Sequence, residues 1–400
     1  MWIWNIAMTN STVGVLSGVQ VIEIGTMLTA PLAGMMLADL GADVIKIERP
    51  DGGDPLRAFG GGSSSPNFLA YNRNKKSVAL DLKSSKACAA LERLLTQADV
   101  LIENFRPGVM ERLGLGPEAI AKLNNRLVHC SITGFGTSGP YRDRPAYDAV
   151  GQALSGMSSL FFDASEPCVT GPTIADNVTG MYACYGILGA LIERAHSGKG
   201  RRVDVNMLEA AIAFIPDPFA NYTQLGTANT PLTRTASSQS FAFRCADERM
   251  IALHLSSQEK FWTRFLSAIG DSALASDRRF ASRPLRVDGY LALRETLAGI
   301  FLRRPRAEWV ARLEAAEVPY APINTIAEVL DDPQVRHLGL FEQIARADGG
   351  SMIVQTCPVL IDHTRARNYR PPPNLGEHTD LVLLSLGYSQ QEVSNLTAKG

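Results

Sequence analysis

One carboxylate stands out because its surroundings fit covalent catalysis. Asp176 lies in the segment GPTIADNVTG, residues 171–180, directly before an apolar run that predicts a helix over about 178–196. This position predicts that Asp176 caps the helix, where free backbone N–H groups and the helix dipole keep a carboxylate ionised. Such a carboxylate can attack a thioester carbonyl, and the same N–H donors can stabilise the oxyanion. The alternative is an ordinary helix cap.

Composition and charge exclude several other classes of protein. The 400 residues include 39 Lys and Arg against 40 Asp and Glu, so no overall basic charge favours nucleic acid. No two of the six cysteines are closer in sequence than Cys168 and Cys184, and the six histidines form no HExxH motif. We therefore predict no metal site and expect the cysteines to be buried free thiols in a reducing compartment.

Two apolar stretches bear on membrane association. The first eight residues are apolar but lack a basic leading region and a clear cleavage site, so we expect no signal peptide. The longest nearly apolar stretch, residues 178–192, is shorter than the roughly 20 residues that span a bilayer. The sequence therefore predicts a cytoplasmic protein without a membrane partner.

The elements that must position Asp176 alternate in type through the first third of the chain. Apolar periodicity predicts strands at residues 19–24, 43–48, 100–104 and 126–132, and helices at 31–40, 84–97 and 117–124. This alternation is typical of a mostly parallel, doubly wound sheet. We therefore predict an α/β fold with a Rossmann-like large domain.

A glycine motif after one predicted strand resembles a dinucleotide-binding loop. Residues 134–139, GFGTSG, match GxGxxG, but the following PYRDRP cannot readily open a helix. The helix N-terminus that would hold a pyrophosphate is therefore missing, and we predict no NAD or FAD site.

The pattern changes in the second half of the chain. Residues 241–245 and 250–254 alternate like a hairpin, and three helix patterns follow at 258–269, 291–302 and 306–316. We predict a large domain at 1–223, a smaller α+β domain at 224–324, and a return to the large domain at 325–400.

Seven segments in a fixed order connect the chain with one known family. They are LGADVIKIERP (40–50), GDPLR (53–57), NKKSVALDLK (74–83), ADVLIENFRPG (98–108), SITGFG (131–136), the segment 171–180 and GEHT (376–379). Together they resemble the family III CoA-transferases, and the resemblance runs nearly end to end. It implies that Asp176 is a covalent nucleophile, that two ring-like subunits interlock as a homodimer, and that coenzyme A, as substrate and carrier, is the only cofactor.

The resemblance also implies which residues bind coenzyme A and the acyl group. The residues expected to contact coenzyme A are Leu28, Thr29, Arg49, Leu80, Asp81, Lys83, Asn104, Phe105, Arg106 and Arg112. Those expected to line the thioester pocket are Gly134, Phe135, Gly136, Tyr147 and Asp148. Most of them follow predicted strand ends, where open α/β sheets bind ligands. Each cation has the alternative of a solvated surface charge.

Tyr147 separates the two catalytic alternatives. It aligns with a tyrosine of the thioester pocket in formyl-CoA transferase, whereas the related α-methylacyl-CoA racemases have a histidine here as one of two acid/base groups. A tyrosine is a poor base at neutral pH because its pKa is about 10. Tyr147 can also be a packed aromatic with its hydroxyl satisfied.

The predicted activity is transfer of CoA from an acyl-CoA donor to a small free acid through an aspartyl-CoA thioester on Asp176. Arg142 and Arg144, on the predicted pocket loop, favour an acid with a second carboxylate. The alternatives that stay open are an α-methylacyl-CoA racemase or epimerase and a non-catalytic acyl-CoA-binding protein.

Overall fold

The structure is a computed structural model. The residues that it describes are 14–59, 65–256, 258–346, 349–365 and 369–397. The apolar start of the chain, residues 1–8, for which we expected no signal peptide, lies outside them.

The chain divides into two compact units. The first runs from the start of the described chain to Met157 and also contains Gly171–Ile215 and the residues from Leu338 onward. The second consists of Ser158–Thr170 and Pro216–His337. The range predicted for the smaller domain, 224–324, lies within the second unit, which extends beyond it at both ends.

Strands and helices alternate through most of the first unit, whereas in the second unit the consecutive strands β7 and β8 are followed by a run of helices. The strands are β1 Gln20–Glu23, β2 Asp43–Glu48, β3 Lys75–Ala79, β4 Val100–Glu103, β5 Val128–Thr133, β6 Arg202–Asn206, β7 Ser240–Arg244, β8 Met250–His254, β9 Tyr320–Pro322, β10 Phe341–Ala345 and β11 Ser351–Gln355. The α-helices are α1 Thr29–Asp39, α2 Pro66–Tyr71, α3 Ser85–Gln97, α4 Val109–Arg112, α5 Pro117–Leu123, α6 Asp148–Leu154, α7 Ile174–Ser197, α8 Met207–Phe214, α9 Pro216–Leu225, α10 Thr233–Ser238, α11 Glu259–Ile269, α12 Ser272–Ala275, α13 Arg283–Asp288, α14 Tyr290–Phe301, α15 Arg306–Ala315, α16 Ile326–Asp331, α17 Pro333–Leu338, α18 Thr379–Ser385 and α19 Gln390–Thr397.

A six-stranded parallel sheet with the order β3-β2-β1-β4-β5-β6 forms the centre of the first unit. In register, Ile22 of β1 pairs with Ile45 on one side and with Leu101 on the other. This is the Rossmann strand order, and it confirms the predicted α/β class. The chain reverses direction across the sheet between β1 and β4, where open α/β sheets place their ligands.

Apolar residues cover both faces of this sheet because successive strand residues point to opposite sides. Ile22 and Ile45 pack in a core with Leu91 of α3. Val21 and Val44 belong to the opposite core, which includes residues of α1 and α7. Helices on both faces bury most of β1, β2, β4 and β5, whereas the edge strand β6 stays partly exposed. The carboxyl ends of the strands are left uncovered by these helices.

The second unit has its own sheet and core. β7, β8 and β9 form an antiparallel sheet in which Phe241 pairs with Leu253. Aromatic side chains fill the core; the rings of Phe243 and Phe301 stack at 4.7 Å, and Phe301 contacts Trp309 at the same centroid distance.

Within the described ranges, no helix is long and apolar enough to cross a membrane, and no group of three or more His, Cys, Asp or Glu residues could hold a metal ion. The six cysteines are free, but the expectation that all are buried is wrong, because Cys168 is exposed and Cys88 is half-buried.

Candidate active site

A cavity of about 430 Å³ opens at the carboxyl edge of the parallel sheet, at the reversal point between β1 and β4. The residues that line it are Thr26, Met27, Leu28, Thr29, Asn104, Phe105, Arg106, Pro107, Val109, Arg112, Ile132, Thr133, Gly134, Arg142, Arg144, Pro145, Ala146, Tyr147, Asp176 and Met207. The structure thus brings Asp176 together with two predicted pocket residues and with six of the predicted coenzyme A contacts.

Asn104, just after β4, joins the two strand-end loops beside the reversal point. Its side-chain oxygen accepts a hydrogen bond from the Thr26 N–H at 2.9 Å, and its amide nitrogen donates to the Thr26 carbonyl at 2.7 Å and to Thr29 Oγ1 at 3.1 Å. Gly25 permits this close packing, because a Cβ atom there would lie 3.1 Å from Asn104 Oδ1 and 2.3 Å from the Ala30 Cβ. The loop after β1 therefore has a fixed shape where it meets the cavity.

Asp176 is not the helix cap that the sequence predicts. α7 begins at Ile174 with Thr173 as its N-cap, so Asp176 is the third residue of the helix. The prediction was wrong because the apolar run was taken to begin at Val178, whereas the first turn comprises Ile174 to Asn177. In this turn Asn177 donates a side-chain hydrogen bond to the Thr173 carbonyl at 2.7 Å. An acidic residue still suits this turn because it lies near the positive end of the helix dipole.

Burial dominates the electrostatics of Asp176. The residue is 9% exposed, and its removal from water, followed by the charge of Asp148, raises its pKa from 3.8 to about 6. The expected stabilisation of the charged form by the helix end is therefore outweighed. In the part of the chain that the structure describes, no hydrogen bond reaches the Asp176 carboxylate. Its oxygens are thus free for chemistry, and a pKa of about 6 leaves the carboxyl group mostly ionised at pH 7.

Asp148 supports Asp176 from outside the cavity lining. Its Oδ1 accepts a hydrogen bond from the Asp176 N–H at 3.1 Å, and its Oδ2 accepts one from Gln152 Nε2 at 2.5 Å. The Asp176 N–H, one of the donors that we expected to be available for an oxyanion, is therefore already hydrogen-bonded to Asp148.

The remaining predicted pocket residues divide in two. Tyr147 lines the cavity with 66% of its surface exposed, so it is not a packed core aromatic. Gly134 also lines the cavity and could not carry a side chain, because a Cβ atom would lie 2.4 Å from that of Ala146. Phe135 and Gly136 are absent from the lining; the Phe135 ring packs edge-on against Tyr141, and the Gly136 N–H donates to Thr133 Oγ1 at 2.9 Å.

Four arginines make the cavity cationic. Within the described residues, the guanidinium groups of Arg106 and Arg112 form neither a hydrogen bond nor an ion pair. Arg142 pairs with Asp143, at 3.4 Å and in an exposed position, and the Arg144 guanidinium lies 4.6 Å from the centre of the Tyr141 ring. Arg106 and Arg112, which have no acidic partner among the described residues, favour an anionic ligand, since a bound phosphate or carboxylate would supply charge-assisted hydrogen bonds.

Four predicted coenzyme A contacts do not line this cavity. Arg49 is exposed and donates to the Gly53 carbonyl at 3.0 Å, and Asp81 accepts a hydrogen bond from the Lys83 N–H at 3.1 Å. Leu80 is 1% exposed and belongs to the core. These residues follow β2 and β3 on the far side of β1, and their contact with coenzyme A stays a prediction.

Other lining residues were missed by the sequence-based prediction. Met207 begins α8, directly after β6, a strand that the prediction did not include. Thr26 and Met27 adjoin the predicted Leu28, and their place just after β1 was the signal that could have identified them.

Known proteins resemble this chain over most of its length. The family model described as CoA-transferase family III matches residues 16–379. The chain is 35% identical over 382 residues to the succinate–glutarate CoA-transferase of Agrobacterium fabrum, covering 93% of this chain and 95% of that protein. It is 32% identical to the human succinyl-CoA:glutarate CoA-transferase, covering 96% and 89% respectively.

A solved structure agrees with these sequence comparisons. The CAIB/BAIF family protein from Brucella suis superimposes with a TM-score of 0.84 at 31% identity, covering 94% of this chain and all of that one. The family match supports an enzyme that transfers CoA to an acid, with coenzyme A as the carrier. On the family model and the two relatives together, the chain belongs to CoA-transferase family III.

Proposed function

We propose that this enzyme moves CoA from an acyl-CoA donor to a small, preferably dicarboxylic, free acid through an aspartyl-CoA thioester on Asp176. The observation that carries the proposal is the Asp176 carboxylate itself. It is buried, accepts no hydrogen bond from the described residues, and faces a cavity lined by four arginines at the reversal point of the sheet.

The first half of the reaction loads CoA onto the enzyme. An Asp176 carboxylate oxygen attacks the thioester carbonyl carbon, and the carbon–sulfur bond breaks. This step joins Asp176 and the donor acyl group in a mixed anhydride and releases CoA as a thiolate. The thiolate then attacks the Asp176 carbonyl carbon, and the donor acid departs as a carboxylate. The second half reverses these steps with the acceptor acid, which regenerates the Asp176 carboxylate.

Burial helps Asp176 in the first step. A carboxylate without protein donors and with little water is less stabilised in its charged form, so attack on a carbonyl relieves an unfavourable charge. Asp148 contributes as a positioning residue, because its hydrogen bond to the Asp176 N–H fixes the first turn of α7.

The arginines fit the two anionic parts of the substrates. Arg106 and Arg112 suit the phosphates of coenzyme A, whose retention holds the thiolate beside Asp176 between the two half-reactions. Arg142 and Arg144 suit the distal carboxylate of an acid. A dicarboxylic substrate agrees with the names of the two relatives, which refer to succinate and glutarate.

The cavity is less suited to a racemase. No histidine lies among the described residues that line it, and Tyr147 occupies the position where the racemases have their histidine. One of the two proton shuttles is therefore missing.

The test incubates the pure protein with succinyl-CoA and a panel of free mono- and dicarboxylic acids, and it identifies new thioesters by mass spectrometry. We expect acid-dependent formation of new acyl-CoA, fastest with dicarboxylic acids. A parallel incubation of 2-methylacyl-CoA in D₂O without acid should show negligible deuterium uptake. Rapid uptake would establish the racemase alternative, and binding without either reaction would establish a binding protein.

A further inference from the structure

Four charged side chains are buried together behind the loop that follows β1, and no step of the proposed reaction uses them. Lys46 Nζ lies 2.8 Å from Glu23 Oε1 and 3.0 Å from Asp54 Oδ2, and Lys75 Nζ lies 2.8 Å from Glu23 Oε2. All four side chains are fully buried. The two carboxylates and two ammonium groups balance in charge, which lowers the cost of burying them. Buried ion pairs of this kind nevertheless contribute little net stability, so stability alone does not explain the cluster.

Two members of this cluster hold the backbone of residues 25–29, which we call the 25–29 loop. Lys46 Nζ donates a hydrogen bond to the Gly25 carbonyl at 2.7 Å, and Asp54 Oδ1 accepts one from the Met27 N–H at 3.1 Å. Met27 has a φ angle of +65°, in the left-handed region that residues other than glycine adopt at an energetic cost. The Asp54 contact therefore supports a backbone conformation that Met27 would not favour by itself.

Asp54 is itself held in place. It caps the short 3₁₀ turn Pro55–Ala58 by accepting the Leu56 N–H at 2.9 Å, and its own N–H donates to Glu48 Oε2 at 3.0 Å. Glu48 in turn accepts two hydrogen bonds from Arg57, each at 2.7 Å. The GDPLR segment thus presents a preoriented carboxylate to the 25–29 loop.

The loop supplies four consecutive residues of the cavity, Thr26 to Thr29. We infer that Asp54 and Lys46 are positioning residues, which act through the 25–29 loop to shape the cavity wall that receives the CoA thioester. The inference rests on the proposed function for the identity of the ligand, but the coupling between Asp54 and the loop does not. Neither side chain lines the cavity, so neither is a catalytic residue.

The first test replaces Asp54 with alanine and measures three quantities. Hydrogen–deuterium exchange of the 25–29 peptide should become faster, the dissociation constant of coenzyme A from calorimetry should rise, and kcat/KM for the donor thioester should fall about ten- to hundredfold, as expected for a misplaced cavity wall. Asp54→Asn keeps an oxygen that can accept the Met27 N–H, so it should change the three quantities in the same direction but by a smaller amount. If the alanine variant does not fold, the asparagine variant still tests the inference.

A matched control separates positioning from general destabilisation. Asp39 is also a buried aspartate of the first unit, and it pairs with Arg73 without contacting the 25–29 loop. Arg73→Ala leaves the buried Asp39 carboxylate without its cation, so it should lower the melting temperature while leaving loop exchange and coenzyme A affinity unchanged.

A double-mutant cycle tests the role of the strained residue. Glycine adopts a positive φ freely, so a Met27→Gly background should need Asp54 less. The factor by which Asp54→Ala reduces kcat/KM should therefore be about ten times smaller in the Met27→Gly protein than in the parent.

Two results would overturn the inference: unchanged exchange of the 25–29 peptide in both Asp54 variants, or an equal effect of Asp54→Ala in both backgrounds. Failure of the proposed function has a different signature. The parent would then show no CoA transfer, while the effect of Asp54 on loop exchange would persist.

Discussion

Replacing Asp176 with asparagine should make the folded protein more stable at neutral pH even as it abolishes activity. Burial and the charge of Asp148 raise the pKa of Asp176 from 3.8 to about 6. A pKa raised from 3.8 to about 6 means that the folded state disfavours the ionised form by about 3 kcal/mol. Asparagine has nearly the same size and no charge, so it removes this penalty.

The sign of the pH dependence follows from the raised pKa. Well below pH 4 the carboxyl group is protonated in both the folded and the unfolded states, and no penalty exists. As the pH rises from about 4 to about 6, the unfolded chain ionises first, and the folded protein loses stability relative to it. The advantage of Asp176→Asn should therefore be about 1 kcal/mol at pH 4.5 and about 3 kcal/mol at pH 8.

Thermal unfolding of the ligand-free proteins measures this difference. A gain of about 3 kcal/mol corresponds to several degrees in melting temperature, since each kcal/mol is worth about 2–4 °C in a domain of 150–250 residues. Asp51→Asn, at an exposed aspartate, serves as the control and should leave the melting temperature nearly unchanged. Equal melting temperatures of parent and Asp176→Asn at pH 8, or a difference that does not vary with pH, would refute the electrostatic argument.

Three further predictions concern catalysis. Asp148→Asn keeps an oxygen for the Asp176 N–H but removes the second cause of the raised pKa, so the acidic limb of the kcat/KM profile should move to lower pH. Arg106→Ala or Arg112→Ala should raise KM for donors of every acyl type by a similar factor, with about 1.5–3 kcal/mol lost per contact; an effect confined to one acyl group would place that arginine elsewhere. Arg142→Ala should raise KM for dicarboxylic acceptors but not for monocarboxylic ones, and equal effects on both would contradict its assigned role.

Much of the fold could be predicted because the central strands are apolar. The predicted strand at residues 43–48 matches β2 at both ends. β3 was missed because its sequence, KKSVA, has the composition of a surface segment. Lys75 is nevertheless fully buried, since Glu23 from a distant part of the chain neutralises it. Such long-range ion pairs leave no local pattern in the sequence. The placement of Ser158–Thr170 in the second unit likewise has no signal in the local sequence.

The site was predictable to the extent that it lies at strand ends. Thr29 and Asn104 follow β1 and β4, and the sheet order brings them within hydrogen-bonding distance at 3.1 Å. The support behind the cavity was not predictable, because Asp54 meets the Met27 N–H only after the chain has folded. The position of Asp176 within α7 was missed for a local reason: the polar pair Asp176 and Asn177 interrupts the apolar pattern, so the first helical residues, Ile174 and Ala175, were not included in the predicted helix.

The most direct test of the account is to trap CoA on Asp176. The enzyme is incubated with donor thioester without acceptor, treated with hydroxylamine or borohydride, and digested for mass spectrometry of the peptide that contains residues 171–180. We expect a hydroxamate or a homoserine at Asp176 in a fraction of the protein, and neither in Asp176→Asn, which should still bind coenzyme A. Trapping at another carboxylate such as Asp148, or strong transfer by Asp176→Asn, would contradict the proposed mechanism.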